Sequence, residues 1–281
     1  MISEPFVLLR MENLTYTLST ADGSRVLLQD INLSVRQGEW LAVAGTNGSG
    51  KSTLARTMAG LYKPTSGTVR LHGTDAAPEL GGSTIPLVFQ NPDTHLLGET
   101  VYEEVRFGLE YMGLSDEEME ERVEEALRDT GLLPLAHRLV ESLSGGQKQL
   151  LAAAGCLALR PPLLLFDEAT SMLDPLSREA LLETARRKHR EGTTVVWVTQ
   201  LLDELSFADR VAAVDGGRLV FCGTPGAFFY ERSAEGTTPC ERLGFEPPYA
   251  VRVARELERL GLPLRRKPLT VEELAEAVCL C

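Results

Sequence analysis

The spacing of apolar residues changes character several times along the chain. Glu12–Leu18 alternates apolar and polar side chains, Ala21-Asp22-Gly23-Ser24 is a turn cluster, and Arg25–Val35 predicts further short strands. Glu39–Ala44 is a compact apolar strand that runs straight into a glycine-rich loop. From Lys51 to Leu61 the composition turns helical, and Pro64-Thr65-Ser66-Gly67 stops it. Residues from about 91 to 155 are rich in helix formers, acidic, and poor in β-branched runs. Within them Ser115-Asp116-Glu117-Glu118 has the form of a capping box, and Met119, Val123 and Leu127 fall on one helical stripe. The acidic run between them reads as the solvated face of that helix. Strand signals return at Leu163–Phe166, Thr194–Thr199, Arg210–Val214 and Arg218–Cys222, the last two flanking the hairpin turn Asp215-Gly216-Gly217. After Gly223-Thr224-Pro225 the chain becomes a helical tail that ends in Val251–Leu260 and Val271–Val278. The pattern predicts an α/β core with an inserted helical lobe and a C-terminal helical extension, without internal repeats.

Composition narrows the function. With 281 residues, 43% hydrophobic and 24% charged, the chain has enough apolar material for a sizeable core and is not expected to be disordered. A formal charge of −12 argues against wrapping nucleic acid and against electrostatic docking on an anionic membrane. The longest apolar runs are strand-sized, far short of the roughly eighteen residues a spanning helix needs. Met1-Ile2-Ser3-Glu4-Pro5 lacks the basic and apolar regions of a signal peptide. Five cysteines without a Cys-x-x-Cys suggest neither a disulfide frame nor a zinc site and fit a reducing cytoplasm. Cys279-Leu280-Cys281 is most simply a frayed tail.

The chemistry starts at Gly45-Thr46-Asn47-Gly48-Ser49-Gly50-Lys51-Ser52, followed by Thr53. A strand before it and a helix after it are the setting of a phosphate loop, whose backbone N–H groups turn inward around a phosphate. Lys51 would reach the β- and γ-phosphates of ATP, and the Ser52 hydroxyl would ligate Mg²⁺. Downstream, Leu163-Leu164-Leu165-Phe166 delivers Asp167 and Glu168 at a strand end. Asp167 is then placed to hold Mg²⁺ and Glu168 to polarise the attacking water as general base. Two acids after four apolar residues can also be an ordinary strand end; the phosphate loop upstream favours the functional reading.

Leu143-Ser144-Gly145-Gly146-Gln147 places a serine and two glycines at a helix start, a second anion-binding device in one chain. Lying between a phosphate loop and Asp167-Glu168, this pentapeptide resembles the signature of ABC ATPases. The resemblance implies a P-loop NTPase core with an antiparallel β subdomain, an inserted helical subdomain and a C-terminal helical extension. It also implies a head-to-tail dimer, in which Ser144, Gly145, Gly146 and Gln147 contact ATP held by the partner. By the same resemblance Tyr16 stacks on adenine and Gln90 touches Mg²⁺ and the water. Ser171-Met172-Leu173-Asp174 would form the loop by which the subunits sense one another. Two departures stand out: Gln200 occupies the switch position where the family usually has histidine, and Leu150 stands where many members have arginine, a change read as lobe packing.

Phe89–Val101, the run Asp167-Glu168-Ala169-Thr170-Ser171-Met172-Leu173-Asp174-Pro175 and the tail containing Leu269–Leu274 are similar to energy-coupling factor (ECF) importers, and within them the Ala-Thr-Ser-Met-Leu wording is most similar to the EcfA subunit. That similarity implies hydrolysis of ATP to energise uptake of vitamins or metal ions. The implied partners are a homologous ATPase subunit, a transmembrane EcfT-like subunit gripped just after Gln90, and a substrate-binding membrane subunit. The chain would sit on the cytoplasmic face of the membrane, with residues 1–230 as the ATP-binding domain and 231–281 as the extension. The stripe Tyr249, Val253 and Leu257 serves either the dimer or the subunit's own core. A soluble DNA-repair or translation ATPase would need a coiled-coil insertion, a second nucleotide domain or a basic surface, none of which occurs. A P-loop kinase would lack Leu143–Gln147.

Overall fold

Two long strands, β1 (Val7–Thr20) and β2 (Gly23–Arg36), open a computed structural model that describes residues 6–20, 23–75, 85–262 and 264–279. The alternation in Glu12–Leu18 belongs to a strand of 14 residues, and Arg25–Val35 to a single strand rather than several. Register shifts, as between Met11 and Leu14, kink β1 without ending it. Of the expected turn, Ala21 and Asp22 lie outside the described residues, and Thr20 pairs with Gly23 at the hairpin's end. With β4 (Ser66–Leu71) and β5 (Thr74–Asp75) these strands form an antiparallel sheet ordered β2-β1-β4-β5.

The second sheet contains β3 (Trp40–Ala44), β6 (Leu87–Val88), β7 (Leu163–Asp167), β8 (Thr194–Val198), β9 (Arg210–Asp215) and β10 (Arg218–Gly223). Its order is β10-β9-β3-β8-β7-β6, parallel throughout except for the β9–β10 hairpin closed by Asp215–Arg218. Every residue of β3, β7 and β8 is buried, as a parallel sheet covered on both faces requires. Alternate residues serve two cores. Trp40, Ala42, Leu164, Phe166, Val195 and Trp197 face one, while Leu41, Val43, Leu163, Leu165, Val196 and Val198 face the other.

Helix α1 (Lys51–Met58) packs Leu54, Ala55 and Met58 into the second core, beside the antiparallel sheet. The first core takes α2 (Val101–Phe107), α3 (Asp116–Asp129), α4 (Gly145–Ala158) and α5 (Pro175–Arg190). Met119, Val123 and Leu127 are the buried stripe of α3, each worth roughly 1.5–3 kcal/mol of burial. The capping box at Ser115 is only half formed. Ser115 Oγ accepts from Glu118 N at 3.2 Å, but the Glu118 carboxylate turns to Arg122 at 2.8 Å. A guanidinium one turn away offers a charge-assisted bond that the neutral N–H of Ser115 cannot match. Leu150 is buried in the lobe.

The tail forms α6 (Pro225–Tyr230), α7 (Pro239–Arg242), α8 (Tyr249–Arg259) and α9 (Val271–Cys279). Helix α8 buries Ala250, Val251 and Ala254, so its inner face is offset from the stripe expected at Tyr249, Val253 and Leu257. Tyr249 is 59% exposed, and Val253 and Leu257 are half-buried. Small alanines let α8 approach closely, and Arg255 then reaches inward to Glu241 at 2.7 Å and to the Phe229 carbonyl. Cys281 lies outside the described residues. Among those described, no helix is long and apolar enough to cross a membrane.

Candidate functional site

Because β3, β8, β7 and β6 are neighbours in that order, four segments leave the carboxyl edge of the sheet side by side. They are the Gly45–Ser52 loop, Thr199-Gln200, the segment from Glu168, and Phe89-Gln90-Asn91. The carboxyl ends of parallel strands are where open α/β sheets bind ligands. A cleft of about 710 Å³ lies there, and Lys51, Ser52, Gln90, Glu168 and Gln200 all line it, together with Asn47, Gly48, Gly50 and Thr53.

The loop is shaped by close approach. Gly50 sits at φ 108° as the N-cap of α1, and a Cβ there would come within 2.9 Å of the Leu27 carbonyl. No side chain caps α1, so its first-turn N–H groups remain available to an anion. Ser49 Oγ is buried without a hydrogen-bond partner, a donor waiting for an acceptor.

Behind the loop lies the charged centre. Lys51 is 4% exposed; its Nζ donates to the Thr46 carbonyl at 3.0 Å and stands 3.3 Å from Glu168 Oε1. The same oxygen accepts from Gln200 Nε2 at 2.7 Å. Glu168 has φ +51°, a left-handed conformation that costs energy for a side-chain-bearing residue and tends to persist where function needs it. Its N–H is held by the Val198 carbonyl at 2.9 Å. Next to it, Asp167 Oδ1 accepts from Ser52 Oγ at 2.8 Å, and Arg56 Nε stands 4.0 Å from Oδ2. Burial pushes the Asp167 carboxyl above its ordinary value, against the Ser52 hydrogen bond and the Arg56 charge. The arrangement joins a buried ammonium, a hydroxyl–carboxylate pair and a second carboxylate shared by the ammonium and an amide.

Gln90 donates to Ser171 Oγ at 3.1 Å, and Ser171 Oγ donates to the Glu168 carbonyl at 2.8 Å. The segment is tied to the lobe by Gln149, fully buried on α4, whose amide donates to the Phe89 carbonyl at 2.7 Å. At the start of α4 the capping box Ser144–Gln147 is complete. A Cβ on Gly146 would meet Ser177 Oγ at 2.0 Å, so glycine there is demanded by packing against the start of α5, capped by Asp174. Ser144 and Gly145 are exposed and do not line the cleft of their own chain.

Tyr16 also stands apart from that cleft. Its ring stacks on Tyr62 with centroids 5.2 Å apart and an interplanar angle of 7°, and Arg56 donates to the Tyr62 hydroxyl at 3.0 Å. Arg25 and Leu27 of β2 line the cleft instead. Sequence reading missed these two because a strand residue's facing depends on its pairing. Arg56 had a signal: four residues beyond Ser52, it shares Ser52's helix face.

The fold and the cleft define a P-loop nucleotide-hydrolysing cassette. The ABC transporter family model matches residues 28–171. Among solved structures, CbiO1 of Clostridium perfringens, described as part of the ABC transporter complex cbiONQ, superposes with a TM-score of 0.74 at 31% identity. The match covers 92% of this chain and 98% of that one. The cassette MJ0796 bound to ADP and Pi in a post-hydrolysis state gives 0.70 at 28% identity, covering 78% and 99%. EcfA1, the energy-coupling factor transporter ATP-binding protein of Geobacillus kaustophilus, is 44% identical over 253 residues, 89% of each chain. The protein of that name from Symbiobacterium thermophilum is 41% identical over 286 residues, covering 99% and 98%. The chain belongs to the ABC transporter ATPase family, among its energy-coupling factor ATP-binding subunits.

Proposed function

We propose that this chain binds and hydrolyses ATP at the cytoplasmic face of a membrane to energise an ECF-type importer of a vitamin or metal ion. The observation that carries the site is the single Glu168 oxygen shared by Lys51 and Gln200. Lys51 and the α1 N–H groups hold the triphosphate, and Glu168 accepts the proton of the attacking water. The residues at the cleft fit Mg²⁺: Ser52 and Asp167 offer hard oxygens, Gln90 lies on the same cleft, and few protein ligands are usual for this ion. When bound, the ion supplies charge neutralisation to the phosphates. Residues 1–230 form the ATP-binding domain and 231–281 an extension.

Ser144–Gln147, of which Ser144 and Gly145 are exposed and none lines the chain's own cleft, serve the nucleotide of a homologous ATPase subunit in a head-to-tail pair, by preference a heterodimer. Tyr16, stacked by one face on Tyr62 and set apart from the phosphate end of the cleft, is the aromatic on which adenine stacks. A transmembrane EcfT-like subunit and a substrate-binding membrane subunit complete the assembly. The docking region follows Gln90, where Leu97 is 73% exposed while Leu96 packs inward. Leu97→Asp should abolish co-purification with the membrane subunit while leaving ATP affinity of the chain unchanged. Wild-type co-purification of that variant would remove this surface from the reading.

Gln200 gives the pair an asymmetry. A neutral amide stabilises the charge developing on the γ-phosphate less than an imidazole able to protonate. This chain's own site is therefore the slower one, and the site completed by its Ser144 the faster. Gln200→His should raise, or at least maintain, single-turnover hydrolysis of ATP at this chain's site. A tenfold loss, about 1.4 kcal/mol of barrier, would mean the site is built around the amide.

A further inference from the structure

We propose that Glu204, outside the cleft, is a positioning residue that holds Glu168 and Gln200 in register; the inference rests on the roles given to those two residues above. Glu204 lies just beyond β8, 3% exposed. Its Oε1 accepts from Thr170 Oγ1 at 2.7 Å, and its Oε2 from Trp197 Nε1 at 2.8 Å and Thr199 Oγ1 at 2.5 Å. Thr170 is two residues after Glu168, and Thr199 immediately precedes Gln200. Thr199 Oγ1 in turn accepts from Leu201 N at 2.9 Å, so the backbone is fixed on both sides of Gln200. One carboxylate thereby ties the segment after β7 to the segment after β8, the two that carry the base and its amide partner.

The chemistry argues for a clamp rather than filler. Burying a carboxylate is costly, and this one is held by three neutral donors. Satisfying an indole does not by itself demand it, since the neighbouring Trp40 Nε1 is buried without a partner. Two hydroxyls and an indole converging on one side chain fix distance and angle more tightly than apolar packing would. Among the described residues, the Gln200 side chain makes no hydrogen bond other than the one of 2.7 Å to Glu168. Its length depends on how closely the two segments are held.

The test uses the assembled transporter carrying Ser144→Arg, which silences the partner's site, so that single-turnover ATP hydrolysis reports on this chain's own site. Glu204→Ala should slow the hydrolysis step at least about tenfold with the Kd for ATP changed less than about threefold. Glu204→Gln should recover hydrolysis to within about threefold, because its Oε1 accepts from Trp197 and Thr199 while the Thr170 hydroxyl reverses to accept from Nε2. In a Gln200→Ala background, Glu204→Ala should cost less than about twofold more, since it acts through Gln200. Undiminished hydrolysis in Glu204→Ala overturns the proposal, and so does an undiminished further loss in the Gln200→Ala background. Should Glu204→Ala not fold, Thr170→Val carries the same two comparisons with the same expected directions. Glu168→Gln as a control separates the readings: if it hydrolyses normally, the base assignment fails rather than the clamp.

Discussion

Lys51→Ala is expected to abolish hydrolysis at this chain's own site and to weaken ATP binding by about 10- to 100-fold. The basis is the placement of one buried ammonium. Lys51 is held against Thr46 and Glu168 at the start of α1, where a triphosphate meets uncapped helix N–H groups. A hydrogen bond to a charged partner contributes about 1.5–3 kcal/mol, which sets the expected loss of affinity. The same change leaves Glu168 without its cation while Gln200 still donates to it, so the fold is expected to survive. Equilibrium binding of a fluorescent ATP analogue, with thermal melting as a check on folding, reads both effects. Wild-type affinity and turnover in a folded variant would remove the phosphate-loop assignment.

Glu168→Gln separates binding from chemistry. The amide keeps the side chain's size but cannot take a proton from water, and general-base catalysis is worth about 10²- to 10⁴-fold. Hydrolysis at this chain's site should fall at least about a hundredfold, or about 2.7 kcal/mol of barrier, with ATP affinity retained. Removing the negative charge also relieves repulsion toward the phosphates, so the ATP-bound closed pair should accumulate and be visible by size-exclusion chromatography. A loss smaller than about tenfold in single-turnover assays would exclude Glu168 as the base.

Much of the site was legible because its parts are local. The strand before Gly45, the helix after Gly50 and the apolar run before Asp167-Glu168 each announce themselves within a few residues, and all lie where the topology needs them. Element type was also legible in α3, whose Met119, Val123 and Leu127 stripe is buried. Boundaries and local competitions were less so. The Ser115 box lost its return bond to Arg122, β1 extends past Glu12–Leu18 at both ends, and Arg25–Val35 lies in one strand rather than several. On α8 the chain's own core takes Ala250, Val251 and Ala254 rather than the stripe Tyr249, Val253 and Leu257, because helical spacing gives a face but not which neighbour covers it.

Short stretches of chain suffice to show the strand–loop–helix at Gly45–Ser52, the paired acids at a strand end, the second glycine-rich helix start and the alternation of strands and helices that builds the sheet. Each is a short-range pattern in which backbone conformation and side-chain chemistry are encoded together. Which distant groups share an atom follows instead from the packing of the sheets. The order β3-β8-β7-β6 brings Lys51, Gln200 and Glu168 onto one oxygen, although 149 residues separate Lys51 from Gln200. It likewise turns Tyr16 onto Tyr62, puts Arg25 and Leu27 in the cleft, and buries Glu204 between two loops. Pairing register and sheet order set those contacts, and both are fixed by the burial of two apolar cores rather than by any residue's immediate neighbours.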